Sequence, residues 1–344
     1  MSERTRQVTI VDVARHAGVS QASVSRVLNG KANVDPAIAG AVHAAVAELG
    51  YEPSLAARSL VQGRNHTIGM IVPDLENPLF QGILKGLTLA ADADGYRVLV
   101  ADTDERAESE EAVALEARRR CDALVLCAPR MPEAKLRQLV ARVAPVVVVN
   151  RSLDAAGVPW VGVDYARGIH DLVDHLFALG HRRIVYLAGP ASSVSNVERE
   201  RGLAAARETF PALEVEILPG GSRLDDGADA AGAVLAARDR GATAVLGFND
   251  LVALGLLHRL AELGVSVPGE LSVAGFDDSP FARYSTPPLT SMSVPRGELG
   301  AQVWQRLATL VAGGRSEHTL LYRPRLEVRA STGPVRVGAG TVPA

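Results

Sequence analysis

Cysteine, export signals and long apolar runs are scarce or missing in this chain of 344 residues. The two cysteines, Cys121 and Cys127, flank a short apolar stretch that reads as a strand. In a strand they would lie roughly 20 Å apart, beyond disulfide reach. No apolar run approaches the length of about twenty residues that spans a membrane, and no secretory signal opens the chain. We therefore expect a cytoplasmic protein whose cysteines are core residues.

Phosphate-binding and catalytic motifs are missing as well. Dehydrogenases and nucleotide enzymes hold phosphates with Gly-x-Gly-x-x-Gly or Gly-x-x-x-x-Gly-Lys-Ser/Thr, and neither pattern occurs here. Gly-x-Ser-x-Gly and His-Glu-x-x-His, which mark many hydrolases and metalloproteases, are also missing. His170 and His175 come nearest to a metal cluster, but their spacing would place them on different faces of a helix. The sequence thus predicts no enzyme activity, no cofactor and no metal site.

Charge is distributed unevenly along the chain. The net charge is −3, whereas residues 1–66 contain seven basic and five acidic side chains and so have a net charge of +2. A modestly basic N-terminal region permits binding to nucleic acid without demonstrating it. With 47% hydrophobic residues the chain can form more than one core, and its length predicts two or three domains.

The first fifty residues read as three short helices. Thr9 can cap the first helix, and a turn at residues 18–20 leads into the second. Residues 35, 36 and 50 are Asp, Pro and Gly, which are typical of the ends of a third helix. Three amphipathic helices could form a small domain that binds no nucleic acid. The second helix, however, has a small polar face that suits the major groove, formed by Gln21, Ala22, Ser25, Arg26 and Asn29.

Several motifs in residues 8–60 follow one another in the order found in a known family. They are Thr9-Ile10-x-Asp12-Val13-Ala14, Ala17-Gly18-Val19-Ser20, Val24-Ser25-Arg26-Val27-Leu28-Asn29, Leu49-Gly50-Tyr51-x-Pro53 and Ala57-Arg58-Ser59-Leu60. This region resembles the head and hinge of the LacI/GalR family of bacterial transcription regulators. The resemblance implies that residues 21, 22 and 26 select the operator. The candidate DNA-binding residues are Thr9, Ser20, Gln21, Ala22, Ser25, Arg26, Asn29, Ala57 and Leu60.

The same resemblance makes residues 54–60 a hinge helix that inserts Leu60 into a minor-groove step of the DNA. A helix this short is unstable alone, so it should be ordered only on DNA or against a partner helix. Wedging an apolar side chain between base pairs costs on the order of a few kcal/mol of stacking, which the bend and its extra contacts offset. A plain linker is the alternative.

From residue 66 onward, short apolar strands alternate with amphipathic helices. This alternation predicts parallel sheets with helices on both faces. Nine strands in one such pattern indicate two doubly wound lobes, so the predicted fold class is α/β, with a helix-turn-helix head and a hinge helix before the lobes. The predicted strands are residues 67–72, 97–102, 123–127, 145–150, 160–163, 183–188, 214–218, 244–248 and 271–276.

Polar residues follow several of these strands, at the edge where such sheets bind ligands. Carboxylates, amides and guanidinium groups can hydrogen-bond to the hydroxyls of a sugar, and a ring can pack on its apolar face. Each residue also has a simpler explanation, because Asp164 and Asn249 could cap helices and Asp277 could lie in a solvated turn.

The resemblance to the LacI/GalR family continues as far as about residue 332. It includes Ile68-Gly69-Met70-Ile71-Val72-Pro73-Asp74, Asn249-Asp250-Leu251-Val252-Ala253-Leu254-Gly255 and Val273-Ala274-Gly275-Phe276-Asp277-Asp278. It implies a periplasmic-binding-protein-like core with an effector between two lobes. The loop at Ser222 and Arg223 lacks the aromatic residue that often stacks on the ligand there. The implied effector-binding residues are Phe80, Arg151, Asp164, Ser195, Arg199, Asn249 and Asp277.

The chain is thus predicted to form a small N-terminal domain, a connecting segment, two lobes and a tail. The resemblance implies that the chain crosses between the lobes three times, so each lobe contains two stretches of sequence. The predicted segments are 1–52 (helix-turn-helix domain), 53–63 (hinge helix and linker), 64–164 with 294–323 (N-terminal lobe), 165–293 with 324–332 (C-terminal lobe) and 333–344 (flexible tail).

The expected function is sequence-specific DNA binding by a transcriptional regulator, by family default a repressor. Its expected partners are a pseudo-palindromic operator, a small-molecule effector of the sugar class and a second copy of the chain in a homodimer. The alternative is a cytoplasmic or exported sugar-binding protein without a role on DNA.

Overall fold

A computed structural model describes residues 8–28, 34–51, 64–153, 157–316 and 319–335. The chain divides into two compact units, Met1–Asn65 and His66–Ala344. Each unit has apolar core residues of its own. Among the described residues, no helix is both long enough and apolar enough to cross a membrane.

The described part of the first unit, which we call the head, contains three helices. They are α1 (Ile10–His16), α2 (Gln21–Leu28) and α3 (Pro36–Leu49). The Nε2 atom of His16 lies 2.7 Å from Oε2 of Glu48, which connects α1 to α3. The buried core between the helices consists of Val13, Ala14, Val24, Val42, Ala45 and Tyr51.

Local capping explains where the helices of the head begin and end. Oγ1 of Thr9 accepts a hydrogen bond from Asp12 N at 3.4 Å, and Oδ2 of Asp12 accepts one from Thr9 N at 3.0 Å, which completes a capping box. Asp35 caps α3 by accepting a hydrogen bond from Ala37 N at 2.8 Å. Gly50 ends α3 with a φ of 59°, in the left-handed region that glycine adopts without strain. These are the helix ends that the sequence predicts.

The second unit contains two six-stranded sheets. All pairings in the first sheet are parallel. Its order is β11 (Thr319–Tyr322), β5 (Trp160–Val163), β4 (Val146–Val149), β3 (Ala123–Cys127), β1 (Thr67–Val72) and β2 (Arg97–Asp102). The helices that accompany it are α4 (Pro78–Ala93), α5 (Glu110–Arg120), α6 (Glu133–Val143) and α12 (Arg296–Val311).

The second sheet is parallel except for one edge strand, β12, which runs antiparallel to β10. Its order is β12 (Arg325–Glu327), β10 (Thr290–Ser293), β9 (Ser272–Asp277), β8 (Ala244–Gly247), β6 (Arg183–Ala188) and β7 (Glu214–Pro219). The helices of this half are α7 (Tyr165–Ala178), α8 (Val194–Thr209), α9 (Leu224–Asp229), α10 (Ala231–Asp239) and α11 (Asp250–Glu262).

The central strands are buried along their whole length. Every residue of β3, β4 and β8 is buried, which is why these strands read as unbroken apolar runs. The largest apolar cluster contains residues of both sheets, such as Val125 of β3 and Phe276 of β9. The predicted α/β class is therefore confirmed, and the nine predicted strands are present with ends that differ by at most one residue.

Three strands, β10, β11 and β12, are missing from the sequence prediction. β10 has the sequence Thr-Ser-Met-Ser and contains one apolar residue. β11 and β12 are four and three residues long and alternate exposed with half-buried positions. β11 and β12 lie at sheet edges, where a strand needs no continuous apolar run, whereas β10 lies inside its sheet. None of the three has the apolar run by which the central strands are predicted.

The last described residues are bound to the second sheet. Ser331 Oγ donates to Val273 O at 2.6 Å, and Gly333 N donates to Ser272 Oγ at 3.1 Å. Val335 N donates to the backbone carbonyl of Leu179 at 3.1 Å. The chain is therefore held to the core as far as residue 335, the third residue of the predicted tail. Residues 336–344 lie outside the described part.

Both cysteines are buried and neither forms a disulfide. Cys121 precedes β3 and Cys127 is its last residue. Burial raises the pKa of the Cys121 thiol to about 11 and moves that of Cys127 in the same direction. Both thiols are therefore neutral core groups at physiological pH.

Candidate functional site

The polar face of α2 is exposed in the head. Ser20 caps α2, because its Oγ accepts a hydrogen bond from Ser23 N at 3.1 Å. Gln21, Ala22 and Arg26 follow on the exposed side of the helix, while the opposite side packs into the core of the head. Such a row of small and polar side chains can approach base edges in the major groove.

The remaining candidates in the head have different environments. Nε of Arg26 donates to Ala22 O at 3.3 Å, which holds the side chain along the helix. Ser25 is partly buried, and Thr9 is exposed while it caps α1. Three further candidates lie outside the described residues: Asn29, Ala57 and Leu60.

In the core, Arg199 of α8 is buried among three aromatic rings, with its side chain 2% exposed. Its Cζ lies 4.2 Å from the ring centroid of Tyr165, 4.6 Å from that of Phe248 and 4.3 Å from that of Phe276. Attraction between the guanidinium and the ring faces offsets part of the cost of burying its charge. The rings come from α7, from the residue after β8 and from β9, so the tertiary fold assembles this cage.

Asp277 is the last residue of β9 and lies beside that guanidinium. Its Oδ1 is 4.0 Å from Nη2 of Arg199, and its side chain is 4% exposed. Burial raises the pKa of the Asp277 carboxyl to about 8; Arg199 acts in the opposite direction and Asp250 in the same one. Its φ is 104°, which is rare for a residue with a side chain and is found mostly where a site requires it.

Asp250, the first residue of α11, holds the loop after Asp277 in place. Its Oδ2 accepts a hydrogen bond from Ser279 N at 2.5 Å, and its Oδ1 accepts one from Ser291 Oγ at 2.6 Å. Burial raises the pKa of the Asp250 carboxyl to about 7, although both hydrogen bonds lower it. In the sequence, Asp250 resembles an ordinary carboxylate in the first turn of a helix.

Three predicted ligand contacts have hydrogen bonds within the protein. Oδ1 of Asp164 accepts from Arg167 N at 2.9 Å and caps α7. Asn249 caps α11 through its Oδ1, and its Nδ2 donates to Ser222 O at 2.9 Å. Oγ of Ser195 lies 2.9 Å from Oγ of Ser193. Capping uses one oxygen of the Asp164 carboxylate, whereas both ends of the Asn249 amide are occupied.

Phe80 and Arg151 have contacts that account for their burial. Phe80 is 3% exposed and belongs to the largest apolar cluster. Nη1 of Arg151 donates to the backbone carbonyls of Pro129 and Met131 at 2.7 and 2.6 Å. The guanidinium therefore supports the loop after β3.

Asn150, the residue before Arg151, has the features of a ligand contact that the sequence prediction assigned to its neighbour. It follows β4 directly, and its side-chain oxygen and nitrogen are buried without a hydrogen bond of regular geometry among the described residues, with the Tyr165 hydroxyl as a polar neighbour. With Asp164, Tyr165 and Glu198 it lines a cavity of about 230 Å³. An unpaired amide beside a cavity can both donate to and accept from a ligand hydroxyl. The feature of the sequence that could have identified Asn150 is its position directly after an apolar strand.

Polar contacts also join loops that belong to different sheets. Arg130, after β3, binds both oxygens of Glu105 at 2.5 and 2.8 Å, and its Nη1 lies 3.3 Å from Ser193 Oγ before α8. Arg223, after β7, donates to Asp104 Oδ1 at 2.5 Å. Sequence reasoning missed these pairs, because contacts between distant loops leave no periodic pattern.

These features define a class of protein. A three-helix head with a small, exposed polar helix face is a helix-turn-helix DNA-binding domain. Two mostly parallel sheets with buried polar groups at the ends of their strands form a ligand-binding core. Together they describe a DNA-binding regulator controlled by a small molecule.

Known proteins place the chain in a family. Residues 9–54 match the family described as bacterial regulatory proteins, lacI family, and residues 173–332 match the periplasmic binding protein-like domain. The HTH-type transcriptional regulator GalS of Salmonella typhimurium is 34% identical over 314 residues, which cover 91% of this chain and 92% of GalS. GalR of Escherichia coli is 34% identical over 327 residues, 94% of this chain and 95% of GalR. The chain belongs to the lacI family of bacterial regulatory proteins and is a DNA-binding transcriptional regulator.

Solved structures agree with this assignment. The lac repressor dimer bound to operator and the anti-inducer ONPF matches with a TM-score of 0.84 and 29% identity, over 95% of this chain and all of that one. The regulator CelR in complex with cellobiose matches with a TM-score of 0.68 and 29% identity, over 94% of this chain and all of that one. The family resemblance and the fold class predicted from the sequence are thereby confirmed.

Proposed function

We propose that this protein is an operator-binding repressor whose affinity for DNA is controlled by a sugar. The buried pair of Arg199 and Asp277 carries the proposal: Nε of the arginine and Oδ1 of the aspartate lack a hydrogen-bond partner among the described residues, and sugar hydroxyls can supply one. The relatives support this ligand class. The CelR structure contains cellobiose, and that of a lacI-family regulator from Enterococcus faecium contains ribose.

The proposed DNA contacts begin with the exposed face of α2. Gln21 and Arg26 have side chains that pair with adenine and guanine edges, and Ala22 lets the helix approach the bases. Leu60 would act in the minor groove. The other proposed contacts are Thr9, Ser20, Ser25, Asn29 and Ala57.

The proposed effector site lies between two lobes of the core. We divide the core at the predicted boundaries, because β1–β5 with β11 form one sheet and β6–β10 with β12 form the other. A ligand that favours one arrangement of the lobes by about 1–3 kcal/mol would change operator affinity by one or two orders of magnitude. The proposed contacts are Phe80, Asn150, Arg151, Asp164, Ser195, Arg199, Asn249 and Asp277.

A homodimer is part of the proposal. Phe281 and Tyr284 are 57% and 80% exposed on either side of the buried Ala282, which makes them candidates for a subunit interface. The lac repressor structure is a dimer on its operator, and two heads would read the two halves of a pseudo-palindrome. Such a protein acts on chromosomal DNA, so we place it in the cytoplasm and assign it no enzymatic reaction.

The test has two steps. The purified full-length protein is first used to select binding sites from random duplex DNA, and a pseudo-palindromic consensus is expected. Binding to that consensus is then measured by fluorescence anisotropy with and without each member of a sugar panel. At least one sugar should change the affinity at least about tenfold. Selection without a consensus would refute operator binding, and unchanged affinity with every sugar would refute sugar control.

A further inference from the structure

Two Asp–Arg pairs in the core are held slightly too far apart to hydrogen-bond. Oδ1 of Asp277 lies 4.0 Å from Nη2 of Arg199, and Oδ2 of Asp74 lies 3.7 Å from Nε of Arg223. Hydrogen bonds between such groups are about 2.7–2.9 Å long. Both carboxylate oxygens are buried and have no hydrogen-bond partner within the described residues. In each pair the two charges therefore attract each other, but no hydrogen bond forms between them.

The gap between Asp74 and Arg223 is set by other bonds to both residues. Oδ1 of Asp74 accepts a hydrogen bond from Glu76 N at 2.8 Å. Arg223 is bound to Asp104, and its backbone N donates to Asp226 Oδ2 at 2.9 Å. Since each residue is held on its own side, closing the gap would break existing hydrogen bonds.

This pair joins the two halves of the core. Asp74 follows β1 of the first sheet, and Arg223 lies between β7 of the second sheet and α9. Burial raises the pKa of the Asp74 carboxyl, while the Glu76 amide and the charge of Arg223 lower it. Asp74 is 5% exposed and Arg223 is 44% exposed, so the pair lies at the boundary between interior and solvent.

The space between a carboxylate and a guanidinium group favours one kind of ligand group. A hydroxyl donates one hydrogen bond and accepts others, so it can accept from the guanidinium and donate to the carboxylate at once. A phosphate or carboxylate of a ligand would satisfy the arginine but repel the aspartate, and an ammonium group would do the reverse. We infer that Asp74 and Arg223 form a second ligand-binding pair, and that its ligand is an uncharged polyol with one hydroxyl that bridges the carboxylate and the guanidinium.

The contacts of two buried arginines, Arg130 and Arg151, agree with an uncharged ligand. Arg130 is occupied by both oxygens of Glu105, and Arg151 donates to two backbone carbonyls. A site for a phosphorylated ligand normally offers guanidinium or backbone donors without a carboxylate beside them. By contrast, Arg199 and Arg223 each have a carboxylate within 4.0 Å, that of Asp277 and that of Asp74.

This inference rests on the proposed sugar control and makes a narrower claim, which titration calorimetry can test. The full-length protein is titrated with glucose, galactose, ribose and cellobiose, and with glucose 6-phosphate, galactose 1-phosphate and ribose 5-phosphate. We expect a neutral sugar to bind and its phosphate ester to bind at least about tenfold more weakly. Equal or tighter binding of an ester overturns the inference, and so does failure of all four neutral sugars to bind. A neutral sugar that binds without changing operator affinity would refute the proposed control of DNA binding and leave the inference standing.

Variants test the pair itself. Asp74→Asn keeps the oxygen that binds Glu76 N but replaces the unpaired oxygen by a donor, so the Kd for the neutral sugar should rise about tenfold. Arg223→Gln should have a similar effect, and the double variant should be little worse than either, because one bridging hydroxyl is lost in all three. Asp92→Asn, which removes a carboxylate from an exposed pair with Arg97, is the control and should leave the Kd unchanged. An unchanged Kd in Arg223→Gln, or additive losses in the double variant, would overturn the bridging role.

Discussion

At the scale of single residues, the core keeps charged groups away from water by different means. Arg199 has three aromatic rings around its guanidinium, Arg130 has the two oxygens of Glu105, and Asp250 has two hydrogen bonds. Asp277 has charged neighbours, Arg199 and Arg296, but no hydrogen bond to its Oδ1 among the described residues, so its carboxyl is the least compensated of these groups. A group that is poorly satisfied in the folded protein lowers stability and is available to a ligand.

Asp277→Asn should therefore stabilise the unliganded protein, and more so at high pH. The pKa of this carboxyl is about 8 in the folded protein and 3.8 as an ordinary group. Between these pH values the unfolded chain releases a proton that the folded chain retains, so stability falls as pH rises from about 4 to about 8. Asparagine does not ionise and tolerates a positive φ, so the stability of the variant should not fall in this way as pH rises.

Urea unfolding at pH 5 and pH 8 measures the effect. The increase in the free energy of unfolding of Asp277→Asn over wild type should be larger at pH 8 than at pH 5. The control variant Asp92→Asn should not show this difference between the two pH values. A gain that is the same at both pH values would mean that the carboxyl of Asp277 is already ionised in the folded protein. The same variant should lose the response of operator binding to sugar while it retains DNA binding.

Arg26 is one of the residues in the head for which a direct contact with bases is predicted. Arg26→Ala should cost about 1–3 kcal/mol of binding free energy on the selected operator and relax the choice of base at one position of each half-site. Arg137→Ala, which removes a half-buried arginine of α6 that pairs with Glu133, is the control. Anisotropy titrations against the consensus and single-base variants measure both effects. A loss that is equal for every sequence would reassign Arg26 to the phosphate backbone.

At the scale of secondary-structure elements, helix starts and ligand contacts use the same residue types. The sequence predicts Asp164 and Asn249 as ligand contacts, and both cap helices, α7 and α11. These helices begin directly after strands, so a residue at that point lies at the ligand-binding edge and at a helix N-terminus together. The two roles cannot be separated by residue type or position alone.

The connecting segment, residues 54–60, lies outside the described residues, and its role as a hinge helix stays a prediction. Leu60→Ala should reduce the bend in operator DNA, because alanine is too small to wedge between base pairs. Leu60→Met, which keeps an apolar wedge of similar size, is the matched control. Circular-permutation gel shifts or energy transfer between labelled DNA ends would measure the angle. An unchanged angle in Leu60→Ala would make this segment a plain linker.

At the scale of the whole molecule, the effector and the operator must change each other's binding affinity to the same extent. If a sugar weakens operator binding by some factor, the operator must weaken sugar binding by the same factor. The core contains elements suited to this coupling, because Arg130 and Arg223 connect loops of the two sheets. A ligand between the loops would act on contacts that belong to both halves.

Dimerisation belongs to this scale as well. Tyr284→Asp places a charge on the exposed aromatic pair and should convert dimers to monomers, because burying an unpaired charge in an interface is costly. Operator affinity should fall strongly, since one head then contacts one half-site. Analytical ultracentrifugation measures the first effect and anisotropy the second, with Tyr284→Phe as control. A dimer that persists in Tyr284→Asp would place the interface elsewhere.

Much of the fold and part of the candidate site were accessible from the sequence. The capped helices of the head and the nine central strands follow from local residue types and periodicity, and they appear where predicted. The positions of polar residues after the predicted strands identify Asp277 and Arg199 as candidate ligand contacts. At the end of β4, however, the sequence prediction names Arg151 and not Asn150. The difference between these neighbours is their hydrogen bonding: Arg151 is occupied by two carbonyls, whereas Asn150 has unpaired atoms.

The sequence alone determined the class of fold, the helix-turn-helix head and the family, because these depend on short-range spacing of apolar, capping and turn residues. Only the tertiary structure decided which polar residues are satisfied by the protein and which are left for a ligand. The spacing of Asp74 from Arg223 and the ring cage around Arg199 join residues more than thirty positions apart. Such contacts depend on how the sheets and loops pack, and burial then makes each unpaired atom costly enough to require a partner.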